Sequence, residues 1–220
     1  MAHVLDDPTG LTLRARRFLA ARGTRQEAPS ADRHREHWRS YQVPEAGVEL
    51  AASFQERWGG LVLPETTHYE GGPGYLTADM PQLVDGLGWC IEAGHPREST
   101  PFGFYVDEAG RYGVQGTTRV PLHESVEGWV EACALEDAAT GWDLIARRSG
   151  DVAELTTAWV PRVGPLTPVP EVRGIADTWL RGDGVMLWIC SGEAQVMATA
   201  QLTGHAYGPR EAVGTLYAIS

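Results

Sequence analysis

Residues 102–136 read FGFYVDEAGRYGVQGTTRVPLHESVEGWVEACALE, and the spacing of their apolar residues changes from a strand period to a helix period at Ser125. Phe102–Asp107 and Arg111–Val114 are two strand-like runs joined by Glu108-Ala109-Gly110, which predicts a β-hairpin. Val120-Pro121-Leu122 predicts a third strand. Beyond it, Ser125 is a helix cap, and Val126, Trp129, Val130 and Cys133 recur at helical spacing. Glu127, Glu131 and Glu136 fall on the other side of that helix, which reads as its solvent face. Strands that pair locally, followed by an amphipathic helix, predict an α+β fold with helices packed on a mostly antiparallel sheet.

Upstream, three helices are expected. The first runs from a cap at Thr9 through Leu11, Ala15, Phe18 and Leu19 to Gly23. A second starts after Ser30 and carries Arg33, Arg35 and Arg39. A third starts at Pro44 and stops at Gly59-Gly60, before a short strand at Leu61–Pro64. Gly71-Gly72-Pro73-Gly74 reads as a turn, and Trp89–Glu92 as a strand. Composition changes across 141–150, which suggests three segments: a helical one at 1–40, the α+β domain at 41–150, and a small α+β extension or continuation at 151–220. Within the last, strands are expected at Leu155–Val160, Val185–Cys190, Ala194–Leu202 and Thr215–Ile219. A helix carrying Ile175, Trp179 and Leu180 is expected to close at Gly182.

The 220 residues carry 18 basic and 29 acidic side chains, a net charge of −11, and every basic one is Arg. The missing Lys is a coding effect of a GC-rich genome. Residues 1–40 hold eight Arg against five acids, whereas residues 41–150 hold six Arg against seventeen. Such a balance disfavours duplex DNA and anionic membranes, which need clustered cations. No apolar run has the length of a membrane span, and the first residues lack a secretory pattern, so a cytoplasmic protein is expected. Three scattered cysteines, Cys90, Cys133 and Cys190, suggest neither a disulfide framework nor a metal knuckle.

Catalytic motifs are missing: the sequence has no nucleophile elbow, zinc-protease motif, phosphate loop or dinucleotide fingerprint. His34 and His37 sit one helical turn apart, but their polar surroundings favour a solvated face over a metal pair. His68 and Glu70 alternate as if on one face of an extended segment, and His95 precedes Pro96 in a turn. His123 beside Glu124 is the one candidate general base, with ordinary helix-start chemistry as the competing explanation. Cys133 lies on the apolar helix face and reads as core. No cofactor is expected.

The order of segments carries more than any motif. A helix ends in Phe54-Gln55-Glu56-Arg57-Trp58-Gly59-Gly60 and runs into Leu61-Val62-Leu63-Pro64; Gly88-Trp89 and Gly94-His95-Pro96 follow. Then come the hairpin with its Asp107-Glu108-Ala109-Gly110-Arg111 turn and the closing helix Ser125-Val126-Glu127-Gly128-Trp129. This arrangement resembles the SUKH superfamily over roughly residues 40–140. The resemblance implies an α+β fold, no enzymatic activity, and protein binding, as in its bacterial members that act as immunity proteins of polymorphic toxin systems. A basic nuclease toxin suits the acidic middle, with Asp107, Glu108, Glu127 and Glu131 as candidate contacts. The alternatives are a regulatory or scaffold interaction module, and a small hydrolase built on His123.

Overall fold

The computed structural model describes residues 2–97, 99, 102–150, 165–197 and 202–208. The expected strands at Leu155–Val160 and Thr215–Ile219 lie outside them. The fold is α+β. Helix α1 (Leu13–Arg22) is capped by Thr12, whose side chain accepts from the Ala15 amide, and not by the expected Thr9. Strand β1 (Thr24–Arg25), helix α2 (Ala31–Ser40) and helix α3 (Glu45–Trp58) follow, with Ser30 capping α2 as expected. Buried Arg57 donates to the carbonyls of Ala2, Asp7 and Thr9 and so ties the first residues onto α3.

Short strands β2 (Leu61–Val62) and β3 (Pro73–Tyr75) lead into the first sheet. Its strands are β4 (Asp79–Val84), β5 (Gly88–Glu92), β7 (Gly103–Asp107), β8 (Tyr112–Gln115) and β9 (Arg119–His123), antiparallel and in that spatial order. Strand β6 (His95–Pro96) pairs with β3 instead. The predicted hairpin is β7–β8, in register from Gly103 opposite Gln115 to Val106 opposite Tyr112. Phe104, Tyr112 and Trp129 pack their rings together over this sheet.

Helix α4 (Val126–Ala139) begins at the Ser125 cap, whose hydroxyl accepts from the Gly128 amide. The chain then forms a second antiparallel sheet from β10 (Asp143–Gly150), β11 (Thr167–Pro168), β12 (Asp177–Arg181), β13 (Met186–Cys190) and β14 (Leu202–Gly208), in the order β10-β14-β13-β12-β11. Helix α5 (Gly192–Val196) sits between β13 and β14 in sequence. Because β10 starts at Asp143, the expected boundary at 150 falls at the end of a strand of this sheet rather than between units. Main-chain bonds from Glu124 to Arg173 and from Ile175 to Leu122 join the second unit to β9.

Two expectations in this region are corrected. Residues 177–181 are a strand and not a helix, because Trp179 lies opposite Trp188 and the two indoles stack at 5.1 Å and 9°. Such a pair is worth about 1 kcal/mol beyond its buried area. Ala194–Val196, expected to open a strand, are helical instead; residues 198–201 of that expected strand lie outside the described residues, and Leu202 belongs to β14.

The larger correction concerns α4. Val126, Trp129, Val130, Cys133 and Ala134 join the core of the first sheet. Ala132, Leu135 and Ala139 join the core of the second. The helix is therefore a layer between two cores, and Glu131 and Glu136 are buried instead of facing solvent. Among the described residues no helix is long and apolar enough to cross a membrane.

Candidate functional site

The basic first forty residues and the acidic middle meet in space, and this decides which acids remain available. Glu131, 2% exposed, accepts from the Thr12 amide at 2.8 Å, the Thr12 hydroxyl at 2.9 Å and Arg14 at 2.9 Å. Arg22 pairs with Asp137 along the same α1–α4 contact. Between α2 and α3, Arg35 pairs with Glu49, and Arg39 with Glu45. Four acids of the middle stretch, Glu45, Glu49, Glu131 and Asp137, are thus paired with Arg side chains of the first forty residues.

The four expected contact residues do not form one surface. Asp107 is 0% exposed and accepts from the Arg111 amide at 2.9 Å and its guanidinium at 2.6 Å, so it braces the hairpin turn from within. Glu131 is the brace just described. Glu108 stays exposed at the hairpin tip, where it accepts from the Trp89 amide, and Glu127 is half-buried in the first turn of α4. Asp107 and Glu131 are withdrawn as contacts, because both carboxylates are enclosed and fully engaged.

The hydrolase reading of His123 is also withdrawn. Its ring is 1% exposed, packs on Trp129, and donates from Nδ1 to the Val172 carbonyl at 3.0 Å. Burial pulls its pKa down to about 4, against the smaller pull of that carbonyl, so it is a neutral structural imidazole. Cys133 is core, as expected, and Cys90 and Cys190 are buried too.

The distinctive site lies where the two units meet, at Glu65–Gly72. Four consecutive residues have positive φ: Tyr69 at 59°, Glu70 at 49°, Gly71 at 84° and Gly72 at 74°. For a residue with a side chain this left-handed conformation costs roughly 1–2 kcal/mol. The surroundings hold it. The Gly72 amide donates to the Tyr69 carbonyl, and the Gly71 carbonyl accepts from both the Thr66 amide and Arg97. Gly72 has a steric reason as well, since a Cβ there would lie 3.1 Å from the Thr66 hydroxyl. His68 and Glu70 consequently part: His68 is buried and Glu70 exposed, not neighbours on one extended face.

Three anchors fix this turn, two on the second unit and one on α4. The Tyr69 hydroxyl donates to Asp177 at 2.6 Å, while the other oxygen of Asp177 accepts from the Ser191 and Gly192 amides at 3.0 Å. Thr67 donates to Glu136 from both its amide and hydroxyl. His68 meets Glu193 at 2.9 Å, stacks on His205 at 4.9 Å and sets its ring edge-on to Trp188. Burial raises the carboxyls of Asp177 and Glu136 above their usual range, and the hydrogen bonds from Tyr69 and Thr67 pull them back. Burial, then the charge of Asp177, pushes the Tyr69 phenol well up.

Outside these anchors opens a cleft of about 300 Å³, lined by Glu65, Thr66, Thr67, Glu70, Arg97 and Glu193 among others. Arg97 is committed to the carbonyls of Gly71 and Leu63. Three carboxylates around one cleft suit a cationic group. Among the described residues, no three His, Cys, Asp or Glu side chains are placed to hold a metal ion. A turn at Gly71-Gly72 was readable from sequence, although the expected turn residues Pro73 and Gly74 belong to β3; its left-handed start at Tyr69 and its partners a hundred residues away were not. No family model, curated protein or solved structure matches the chain.

Proposed function

We propose that this chain is a non-enzymatic, protein-binding module of the immunity type, which neutralises a basic toxin by engaging it at the acidic cleft of Glu65, Glu70 and Glu193. The observation that carries this is the left-handed turn at Tyr69–Gly72, which sets exposed Glu70 beside that cleft on a backbone anchored to both units. A preorganised acidic cleft loses little side-chain and loop freedom on binding, and its field speeds the approach of a cationic partner. The SUKH-like order of segments over residues 40–140 points the same way, and the acidic middle still leaves Glu65, Glu70, Glu108 and Glu124 exposed. The interface moves from the hairpin tip and α4 to the seam between the two sheets.

Affinity capture from the native host, with bound proteins identified by mass spectrometry, tests the proposal. The wild-type chain should retain a basic protein that a Glu65→Arg/Glu70→Arg variant loses. Equal retention by both, or an acidic partner, would refute it.

A further inference from the structure

A second cleft, of about 430 Å³, lies on the first sheet, over the face opposite its core. Phe104, Val114 and Val120 sit opposite one another on neighbouring strands and are buried on the core side. Side chains alternate along a strand, so Gly103, Gln115 and Arg119 form a row on the other face. Gln82 of β4 and Glu92 of β5 join them, and all five residues line the cleft. The expected solvated pair on α2 offers no comparable site, since His34 is buried and only His37 is exposed.

Arg119 and Glu92 are half-buried and oppositely charged, and neither is neutralised within the described residues. The Arg119 guanidinium donates to the side-chain oxygens of Gln115 at 3.0 Å and Gln82 at 3.2 Å, and meets no carboxylate. Arg14, Arg35 and Arg111 are half-buried too, and each of them does pair with one. In the spatial order β4-β5-β7-β8-β9, the two glutamines stand on either side of β5 and β7. They therefore hold the guanidinium across the strands between them, one of which carries Glu92. A guanidinium only donates, so both amide oxygens must face it, and both NH2 groups remain as donors. It also keeps three of its five N–H groups for another acceptor.

We propose that this cleft binds a small zwitterion, in chemistry a free α-amino acid, with its carboxylate on Arg119 and the glutamine amides and its ammonium on Glu92. A carboxylate accepts at about four sites, which suits the excess of donors, and an ammonium only donates, which suits Glu92. An anion alone is repelled by Glu92, and a cation alone by Arg119. The volume lies in the range that small ligands occupy. The guanidinium is held before any ligand arrives, so binding costs it little freedom. The proposal is independent of the acidic cleft.

The experiment titrates the full chain with glycine, L-serine, L-glutamine, propionate and propylamine, following heat by calorimetry and the Gln115 side-chain amide by NMR. That signal is identified by its loss in Gln115→Leu. Amino acids share one charged head group, so at least one should bind saturably and shift the signal. Propionate and propylamine carry one charge each and should bind about tenfold more weakly. Glu92→Gln removes no contact within the described residues, so it should melt as the wild type does. It should bind amino acids about tenfold more weakly and propionate no worse. The proposal is overturned if no amino acid shifts the signal at millimolar concentration, if either single-charge probe binds as tightly as the amino acids, or if Glu92→Gln binds them unchanged.

Discussion

Glu131 and Glu70 belong to the same acidic middle of the chain, and the fold places them oppositely. At the α1–α4 contact, Glu131 is enclosed and accepts three hydrogen bonds from Thr12 and Arg14. At the seam turn, Glu70 is exposed on a left-handed backbone beside the cleft. One carboxylate holds elements together, and the other is held out by them. Net charge counts both alike, so only burial and partners separate a structural acid from one free to meet another molecule.

The sharpest way to break the comparison is to remove the anchor beneath the seam turn. Asp177→Ala leaves the Tyr69 hydroxyl and the Ser191 and Gly192 amides without their acceptor. Urea denaturation should show a loss of about 3–5 kcal/mol. A loss below about 1 kcal/mol would mean that the turn is not held from the second unit.

Acid should weaken the packing of α4 next. His123 has a folded pKa depressed to about 4, below its ordinary value near 6.5. Its stability contribution is therefore complete above about pH 6.5 and is lost as pH falls toward 4, by up to about 3 kcal/mol. The raised carboxyls of Asp177 and Glu136 act oppositely and offset part of this. His123→Gln, which keeps a donor for the Val172 carbonyl, should flatten the dependence of unfolding free energy on pH across that window.

Glu131→Ala should cost about 2–3 kcal/mol, since hydrogen bonds to a charged acceptor are among the stronger ones, yet leave partner binding intact. Glu70→Gly makes the reverse case. It relieves a side chain at φ 49° and should raise stability by about 0.5–1 kcal/mol while weakening capture of the partner. Parallel melts and binding assays on the two variants would show whether structural and interactive acids separate as described.

How much of this could be read from sequence depends on how local each determinant is. The β7–β8 hairpin and the Ser125 cap were legible because turn residues and apolar period sit within a few positions of one another. Ile175, Trp179 and Leu180 suited a helix by spacing, but the stack of Trp179 on Trp188 is a pairing across strands and makes a strand. Glu131 and Glu136 read as solvent-facing because the groups that cover them are far away in sequence: Thr12 and Arg14 enclose Glu131, and Thr67 binds Glu136. The site was harder still. Gly71-Gly72 announced a turn, but nothing near Tyr69 points to Asp177, and the acidity of residues 41–150 did not reveal which carboxylates α1 and α2 would neutralise.

The central claim is that the exposed acids at the seam, not the buried ones, meet a cationic partner. Its most direct measurement is the association rate of the captured partner against ionic strength, for the wild type and the Glu65→Arg/Glu70→Arg variant. The wild-type rate should fall about tenfold as salt rises from low to moderate concentration, and the variant should start slow and stay flat. Parallel curves for the two proteins would contradict the account.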